Sequence, residues 1–182
     1  MCIRDRVKFF SWLEVGAKTG SLNELLASKK LHDIRSEDPD FLMDSFETIA
    51  GFKENAAIVH YAPSKTGSKT ITNEGMILVD SGAHYKMGTT DITRTVALGG
   101  LKESEKIDYT LVLKSFLALF LARFPEKTTG ARLDSIAKVP LWQNGKDFFH
   151  GTGHGVGFVL TVHEGPQSIR STGEEEFVED MT

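Results

Sequence analysis

The sequence predicts an α+β fold, in which helices and an antiparallel sheet occupy separate stretches of the chain. Apolar residues recur at helical spacing through roughly the first 35 residues. Short apolar runs between glycines and polar loops follow from residue 46 to 98, as strands require. Further helical patterns come next, and then a segment rich in glycine and histidine. The predicted order is helices, sheet, helices and sheet again.

Two helices are predicted at the start of the chain. Residues 7–16 are rich in aromatic and aliphatic side chains, which suits a packed helix. Ser21 and Glu24 have the spacing of a capping box and predict a second helix that runs to about Arg35. The tripeptide Asp38-Pro39-Asp40 ends it, because the residue before a proline disfavours helical backbone.

The middle of the chain predicts strands. Brief apolar runs at 48–51 and 56–60 precede an apolar strand at 76–80 that ends on a carboxylate. Residues 89–98 form its partner after a turn at 85–88. We therefore expect a hairpin here, with a loop too long for a tight turn.

Helices return in the second half of the chain. Ser104 can cap a long helix that reaches Phe124 and stops at Pro125. This helix is apolar on several faces, so we expect most of it to be buried. A shorter helix is expected at 131–137. The segment 150–166 is dense in glycine and histidine, a composition that no core element needs.

Composition excludes several functions. The 182 residues carry a formal net charge of −4, so no broad basic field exists to bind nucleic acid or an anionic membrane. A single cysteine excludes an intramolecular disulfide and fits a reducing compartment. No apolar run reaches the roughly 18 residues that span a bilayer, and residues 1–6 are polar, unlike a secretory signal. The sequence predicts a cytoplasmic protein.

Asp80 and Asp91 are candidates for cation binding. Asp80 ends the apolar strand, and Asp91 lies in the facing strand, so a hairpin can place both carboxylates on one face. Two carboxylates side by side repel each other, and one pKa rises unless a cation lies between them. Hard divalent cations prefer such oxygen ligands. The alternative is that each aspartate stabilises a turn.

The histidines form a second candidate cluster. His150 and His154 enclose a Gly-Thr-Gly segment, and His163 precedes Glu-Gly-Pro. Glycines let the backbone approach a ligand closely, and an imidazole can then bind a metal. His60 ends a predicted strand. A lone histidine is more often a satisfied polar residue, but this clustering predicts a functional site. Neither a phosphate-loop ending nor a Gly-x-Ser-x-Gly nucleophile motif is present.

Four motifs in a fixed order carry a family resemblance. They are Asn73-Glu-Gly-Met-Ile-Leu-Val-Asp80-Ser-Gly, Gly88-Thr-Thr-Asp91-Ile-Thr-Arg-Thr, His150-Gly-Thr-Gly-His154-Gly-Val-Gly and Val162-His163-Glu164-Gly-Pro. Together they resemble the creatinase/aminopeptidase P metallopeptidases, over about residues 9–167. Thr152 in the third motif makes the chain most similar to the Xaa-Pro aminopeptidases of that family.

The resemblance implies the "pita-bread" α+β fold with a dinuclear metal centre. By similarity, Asp80 binds one ion, Asp91 bridges two ions and His154 binds the second. The implied metal is manganese, with cobalt or zinc as alternatives. His60, His150 and His163 match the outer histidines that hold substrate and stabilise the tetrahedral intermediate.

The implied reaction is hydrolysis of the bond between an N-terminal residue and a following proline. A hydroxide that bridges the two metals attacks the carbonyl, and a histidine donates to the developing oxyanion. The implied partners are peptides with proline at the second position, and the implied assembly is a homodimer. The nearest alternatives are a prolidase, a methionine aminopeptidase, and a pita-bread domain that binds proteins without catalysis.

The chain departs from the family pattern in its ligand set. The family has two further metal-binding glutamates, one of them in a Glu-Pro-Gly motif, and neither is in this sequence. We therefore expect a domain that is incomplete at its C-terminus and a fragment that is nearly inactive. Residues 1–6 resemble a translated assembly scar, so we expect the partial catalytic domain to comprise 7–182.

Overall fold

The computed structural model describes residues 2–181. Met1, the first residue of the predicted segment 1–6, and Thr182, the last residue of the predicted segment 7–182, lie outside the described residues. The chain divides into two compact units, Met1–Lys102 with Phe158–Val162 and Glu103–Gly157 with His163–Thr182. Each unit contains helices and antiparallel strands, which confirms the predicted α+β class. Within the described residues, no helix combines the length and apolar character that crossing a membrane requires.

Two helices open the first unit, α1 at Cys2–Thr19 and α2 at Glu24–Ser36. Both predicted helices are therefore confirmed. The predicted cap is wrong, because Asn23 and not Ser21 precedes α2 and accepts a backbone hydrogen bond from its first turn at 2.8 Å. Asparagine suits this position as well as serine does. Glu24 turns into the core, where it has other partners.

The strands of the first unit are β1 (Leu22–Asn23), β2 (Phe41–Asp44), β3 (Ile49–Phe52), β4 (Thr70–Ile71), β5 (Met76–Ser81), β6 (Ala83–Tyr85), β7 (Gly88–Thr89) and β8 (Ile92–Ala97). They form a sheet of order β3–β5–β8, a second of order β2–β6–β7, and the pair β1–β4. All pairings are antiparallel. Apolar side chains of α1 and α2 pack with those of β3 and β5 to form the core of this unit, which includes Phe9, Leu13, Leu31, Phe52, Ile77 and Val79.

The predicted hairpin is confirmed in its pairing and corrected in its loop. β5 pairs with β8, and between them β6 pairs with β7. Only Lys86 and Met87 join β6 to β7, so the turn is tight rather than long. Gly82 separates β5 from β6, and a Cβ atom there would lie 1.8 Å from the carbonyl oxygen of Thr90. A side chain there would collide with the facing backbone.

The predicted strand at 56–60 is wrong. This stretch forms a short 3-10 helix at Lys53–Ala57 and a turn that ends at His60. The backbone at Lys53 and His60 has positive φ angles of 51° and 56°, which a strand does not contain. The buried carboxylate of Glu24 accepts hydrogen bonds from residues on both sides of the stretch and holds it as a loop.

The second unit contains α3 (Glu103–Phe120), α4 (Gly130–Trp142), β9 (Gly153–Val156) and β10 (His163–Ile169). β9 and β10 pair in antiparallel fashion, and α3 packs against α4. The helix predicted to reach Phe124 ends earlier, at Phe120. The helix predicted at 131–137 is longer, because helical backbone continues through Pro140.

The expectation that α3 is mostly buried is wrong. Its buried residues are Leu111 and Ser115, whereas Phe116 and Phe120 are 59% and 72% exposed. α3 packs on α4 along one stripe. Among the described residues, the apolar side chains outside that stripe therefore remain in contact with solvent.

Candidate metal centre

Two aspartates lie on one face of the hairpin in the first unit. Asp80 of β5 is paired with Thr93 of β8. Asp91 comes immediately before β8, two residues ahead of Thr93. Because side chains alternate between the two faces of a strand, Asp91 and Asp80 point to the same side. Such diagonal neighbours on paired strands are about 7–8 Å apart, so their carboxylates can reach a shared cation.

Asp80 has a carboxylate oxygen that lacks a hydrogen-bond donor. Its Oδ1 atom is buried and accepts no hydrogen bond from the described residues. Leaving a buried acceptor unsatisfied costs about 1–3 kcal/mol, and more when the group is charged. A divalent cation removes this cost, because hard cations bind carboxylate oxygens directly. The environment of Asp80 therefore fits a metal ligand.

A buried arginine holds the chain just beyond Asp80. The guanidinium of Arg35, in the last turn of α2, has no exposed surface. It donates to the carbonyl oxygen of Gly82 at 3.1 Å and to the hydroxyl of Ser81 at 3.0 Å. These bonds fix the two residues that follow Asp80. This role was not predicted from the sequence, since an arginine at the end of a helix is ordinarily exposed.

In the second unit, β9 and β10 bring two of the predicted histidines together. His163 is opposite Val156, and His154 lies two residues before Val156, on the same face of β9. The two imidazole centroids are 4.0 Å apart, with 72° between the ring planes. A ring nitrogen of His154 and one of His163 lie within 4.8 Å of each other. The pair can therefore act on one bound ion or ligand.

Neighbouring carbonyl groups decide which nitrogen is protonated in two of the imidazoles. Nδ1 of His154 is 2.8 Å from the carbonyl oxygen of Gly155, and Nδ1 of His150 is 2.8 Å from that of Gly151. A carbonyl oxygen only accepts hydrogen bonds, so each Nδ1 carries a proton. Nε2 then has the lone pair of the neutral ring, which is the form in which histidine binds a metal.

His150 is exposed and is held by an aromatic neighbour. Its ring stacks on Phe148, with the centroids 4.8 Å apart and 26° between the planes. One face of the imidazole is therefore covered by the aromatic ring, and the side chain remains exposed. With Nδ1 donating to Gly151, its Nε2 is an acceptor in the neutral ring and a donor in the imidazolium.

His60 lies in a different loop of the first unit. It is exposed, and the adjacent Tyr61 donates its hydroxyl to Glu24 Oε2 at 2.6 Å. Burial, together with the hydrogen bond to the Glu24 carboxylate, raises the pKa of Tyr61 to about 12. Tyr61 therefore stays protonated at neutral pH and keeps the loop of His60 attached to Glu24.

Within the separate units, the structure thus places Asp80 with Asp91 and His154 with His163. His150 is on the glycine-rich segment that leads to His154, and His60 is on its own loop. Carboxylate and imidazole donors suit manganese, cobalt and zinc. The donor chemistry therefore fits a divalent transition metal without selecting one of the three.

The sequence pattern of metallopeptidase family M24 matches residues 4–182. A curated protein of Fusarium vanettenii, named "Probable Xaa-Pro aminopeptidase P", is 49% identical over 165 residues. The matched region is 90% of this chain and 27% of that relative. The chain therefore spans about a quarter of the length of the curated relatives that it matches.

Solved structures show the same likeness. The X-prolyl aminopeptidase of Caenorhabditis elegans, described as a cytosolic enzyme with a di-nuclear active site, superimposes with a TM-score of 0.89 at 40% identity. That match covers 96% of this chain and 29% of the worm enzyme. The prolidase of Pyrococcus furiosus matches with a TM-score of 0.76 at 28% identity, over 92% of this chain and 49% of the prolidase. These matches confirm the predicted pita-bread fold.

Proposed function

This chain belongs to metallopeptidase family M24, and on that basis we propose that the protein of which it forms part is a metal-dependent Xaa-Pro aminopeptidase. Its reaction would be hydrolysis of the bond between an N-terminal residue and a following proline. The observation that carries the proposal is the likeness to the worm X-prolyl aminopeptidase, which extends over nearly the whole chain. The proposed substrates are peptides with proline at the second position.

Asp80, Asp91 and His154 are the proposed metal ligands. Asp80 offers a buried oxygen without a described donor, Asp91 lies on the same face of the hairpin, and His154 has its lone pair on Nε2. The proposed ions are two Mn²⁺, with Co²⁺ or Zn²⁺ as alternatives. When bound, such ions supply an activated water and polarise the substrate carbonyl.

His60, His150 and His163 are proposed to hold substrate and to stabilise the tetrahedral intermediate, with one histidine donating to the developing oxyanion. His150 and His60 are exposed on loops, and each has a neighbour that orients its backbone or ring. His163 lies beside His154. Donors held in place before the reaction stabilise a developing oxyanion without further reorganisation.

The proposed setting is the cytoplasm, and the proposed assembly is a homodimer. The worm relative is described as cytosolic. The net charge of −4 gives no electrostatic basis for nucleic acid or anionic membranes as partners.

A prolidase is the second candidate function. The likeness to the Pyrococcus furiosus prolidase favours it. The two activities differ in whether the residue after the cleaved bond must carry a free carboxylate. The substrate panel below separates them.

The test uses the full-length protein, stripped of metal and then reloaded with Mn²⁺. Release of the N-terminal residue is measured for Ala-Pro-Ala, the dipeptide Ala-Pro and Met-Ala-Ser. Asp91→Asn is compared with Asp33→Asn, which alters an exposed carboxylate on α2. We expect cleavage of Ala-Pro-Ala and a loss of at least about 100-fold in kcat/KM for Asp91→Asn, since even residues that only orient a metal ligand contribute about 10–100-fold.

The other outcomes either indicate a different function or show that the effect of the substitution is not specific. Cleavage of Ala-Pro alone indicates a prolidase, and cleavage of Met-Ala-Ser alone indicates a methionine aminopeptidase. A protein that binds no metal and cleaves none of the three peptides contradicts the proposal and favours a protein-binding module. An equal loss in Asp33→Asn would show that the effect of Asp91→Asn is not specific to the site.

A further inference from the structure

Helix α4 carries a buried ion pair that the proposed mechanism does not use. Asp134 and Lys138 are only 3% and 9% exposed. Lys138 Nζ lies 3.1 Å from Asp134 Oδ2, one helical turn away. Removing two charges from water is costly, and one partner alone seldom compensates for it. Their remaining contacts therefore indicate what the pair supports.

The second oxygen of Asp134 binds the glycine-rich segment. Thr152 Oγ1 donates to Asp134 Oδ1 at 2.6 Å, a short hydrogen bond of the kind that a charged acceptor strengthens. Thr152 stands midway between His150 and His154. Its hydroxyl is thus the point at which α4 holds the segment that carries both histidines.

Backbone contacts keep this attachment in register. The N–H of Thr152 donates to the carbonyl oxygen of Ile169 in β10 at 2.8 Å. At the start of α4, a Cβ atom on Gly130 would lie 1.8 Å from the carbonyl oxygen of Ser168, also in β10. α4 therefore packs backbone to backbone against β10. Thr152 is held on one side by the strand and on the other by the helix.

The lysine of the pair contacts the other end of the same segment. Lys138 Nζ lies 5.0 Å from the ring centroid of Phe148, within the range of a cation–π contact. Phe148 in turn stacks on His150. The two charges of the pair thus contact two side chains, Thr152 and Phe148, that flank or adjoin the predicted site histidines.

We propose that Asp134 and Lys138 are positioning residues, which set the orientation of His150 and His154 through Phe148 and Thr152. This inference rests on the proposed function for its catalytic consequence, but its geometric part concerns the second unit alone. Neither residue would touch substrate or metal. Removing the Thr152 hydroxyl leaves one oxygen of a buried carboxylate without its donor, and the segment then shifts to satisfy it.

The experiment compares Thr152→Val, Thr152→Ser and Asp134→Asn in the full-length protein loaded with Mn²⁺. Valine matches threonine in shape but lacks the hydroxyl, whereas serine keeps it. Ser135→Ala is the matched control, because Ser135 is exposed on the same helix and its hydroxyl donates to the backbone carbonyl oxygen of Ala131. The measurements are kcat, KM, the dissociation constant for Mn²⁺, and the imidazole resonances of His150 and His154 in the metal-free protein.

We expect Thr152→Val and Asp134→Asn to lower kcat or weaken Mn²⁺ binding by about 10–100-fold, the usual effect of losing a residue that orients a ligand. KM should change less than kcat. Thr152→Ser should recover most of the loss, and Ser135→Ala should match the unmodified protein. A variant that combines Thr152→Val with Asp134→Asn should lose no more than either single variant, because both changes remove the same hydrogen bond. The imidazole resonances should move in Thr152→Val but not in Ser135→Ala.

The outcomes keep this inference apart from the proposed function. If the unmodified protein cleaves none of the peptides, the proposed function fails, and the imidazole resonances still decide the inference. Thr152→Val with unchanged resonances, kcat and metal affinity would overturn it. The inference would also be overturned if Thr152→Val and Asp134→Asn only lowered the stability of the protein and left kcat unchanged in the folded state. If Thr152→Val does not fold, Asp134→Asn supplies the same comparison.

Discussion

Glu24 shows how one buried side chain organises a loop that bears a proposed catalytic residue. Its carboxylate has no exposed surface. It accepts hydrogen bonds from the backbone N–H groups of Phe52 at 2.7 Å and Lys69 at 2.8 Å, and from the Tyr61 hydroxyl at 2.6 Å. A buried carboxylate is tolerated only when it is well supplied with donors. Because these donors come from both ends of the loop, Glu24 fixes the loop that carries His60.

The Tyr61 hydroxyl gives this network a pH dependence. Burial and the bond to Glu24 raise the pKa of Tyr61 to about 12, above the value of about 10 in an unfolded chain. Between these values the unfolded state ionises first, so the contribution of Tyr61 to stability is complete below about pH 10 and is lost towards about pH 12. We expect the unmodified protein to lose more stability over this range than Tyr61→Phe does.

Urea unfolding at pH 9, 10 and 11 measures this difference, and tyrosinate absorbance follows the ionisation directly. A parallel decline in both proteins would contradict the assignment. So would a tyrosine that titrates near pH 10 in the unmodified protein and is missing in Tyr61→Phe. The exposed Tyr109→Phe serves as the control.

At the level of elements, α3 exposes more apolar side chains than it buries. Phe116 and Phe120 stack on each other with their centroids 5.7 Å apart, and both are more than half exposed. Val112, one turn before Phe116, is also exposed, at 58%. Apolar side chains at this helical spacing form a continuous surface, and such surfaces associate with other apolar groups in water.

We therefore expect the 182-residue chain by itself to self-associate and to bind an apolar dye such as ANS. Phe116→Ser combined with Phe120→Ser should reduce both effects severalfold, because the stacked pair is removed. Thr110→Ser, a change at an exposed polar position of the same helix, should reduce neither. Light scattering and dye fluorescence measure the two effects. Unchanged association in the double variant would show that α3 is not the surface responsible.

At the level of the whole molecule, the proposed metal centre extends beyond the ligands that this chain supplies. Asp80, Asp91 and His154 are three of the five ligands that the family resemblance implies, and the two further glutamates are not among the residues of the chain. The chain spans 27% of its Fusarium relative. The activity therefore belongs, in our proposal, to the full-length protein.

We expect the 182-residue chain to bind Mn²⁺ at least about 100-fold more weakly than the full-length protein, since loss of a ligand exceeds the roughly 10–100-fold effect of losing a residue that orients one. Calorimetric titration of both forms measures the ratio. Asp91→Asn should weaken Mn²⁺ binding by the full-length protein. In the 182-residue chain, whose Mn²⁺ affinity is expected to be low already, the same change should have little effect. Equal affinity in the two forms would show that three ligands suffice.

The sequence by itself determined the elements whose signals are contiguous. Both N-terminal helices and the pairing of the hairpin follow from local spacing and turn residues. The predicted cap of α3 is wrong, because the helix begins at Glu103 and Ser104 lies within it. The motifs around Asp80, Asp91 and His154 also identified the family and the candidate ligands, because the residue types and their order are local properties. The roles of those ligands remain proposals.

Tertiary structure alone decided which polar groups are buried and what they bind. Glu24 was predicted to complete a capping box, but it is buried and accepts hydrogen bonds from groups as distant as Lys69. The stretch predicted as a strand at 56–60 instead forms the end of a 3-10 helix and a turn. Asp134 finds Thr152 18 residues away, and α3 proved exposed because it packs along one stripe. The physical reason is that the free energy of a buried charge or an apolar face depends on its partners in space, and spacing along the chain does not specify those partners.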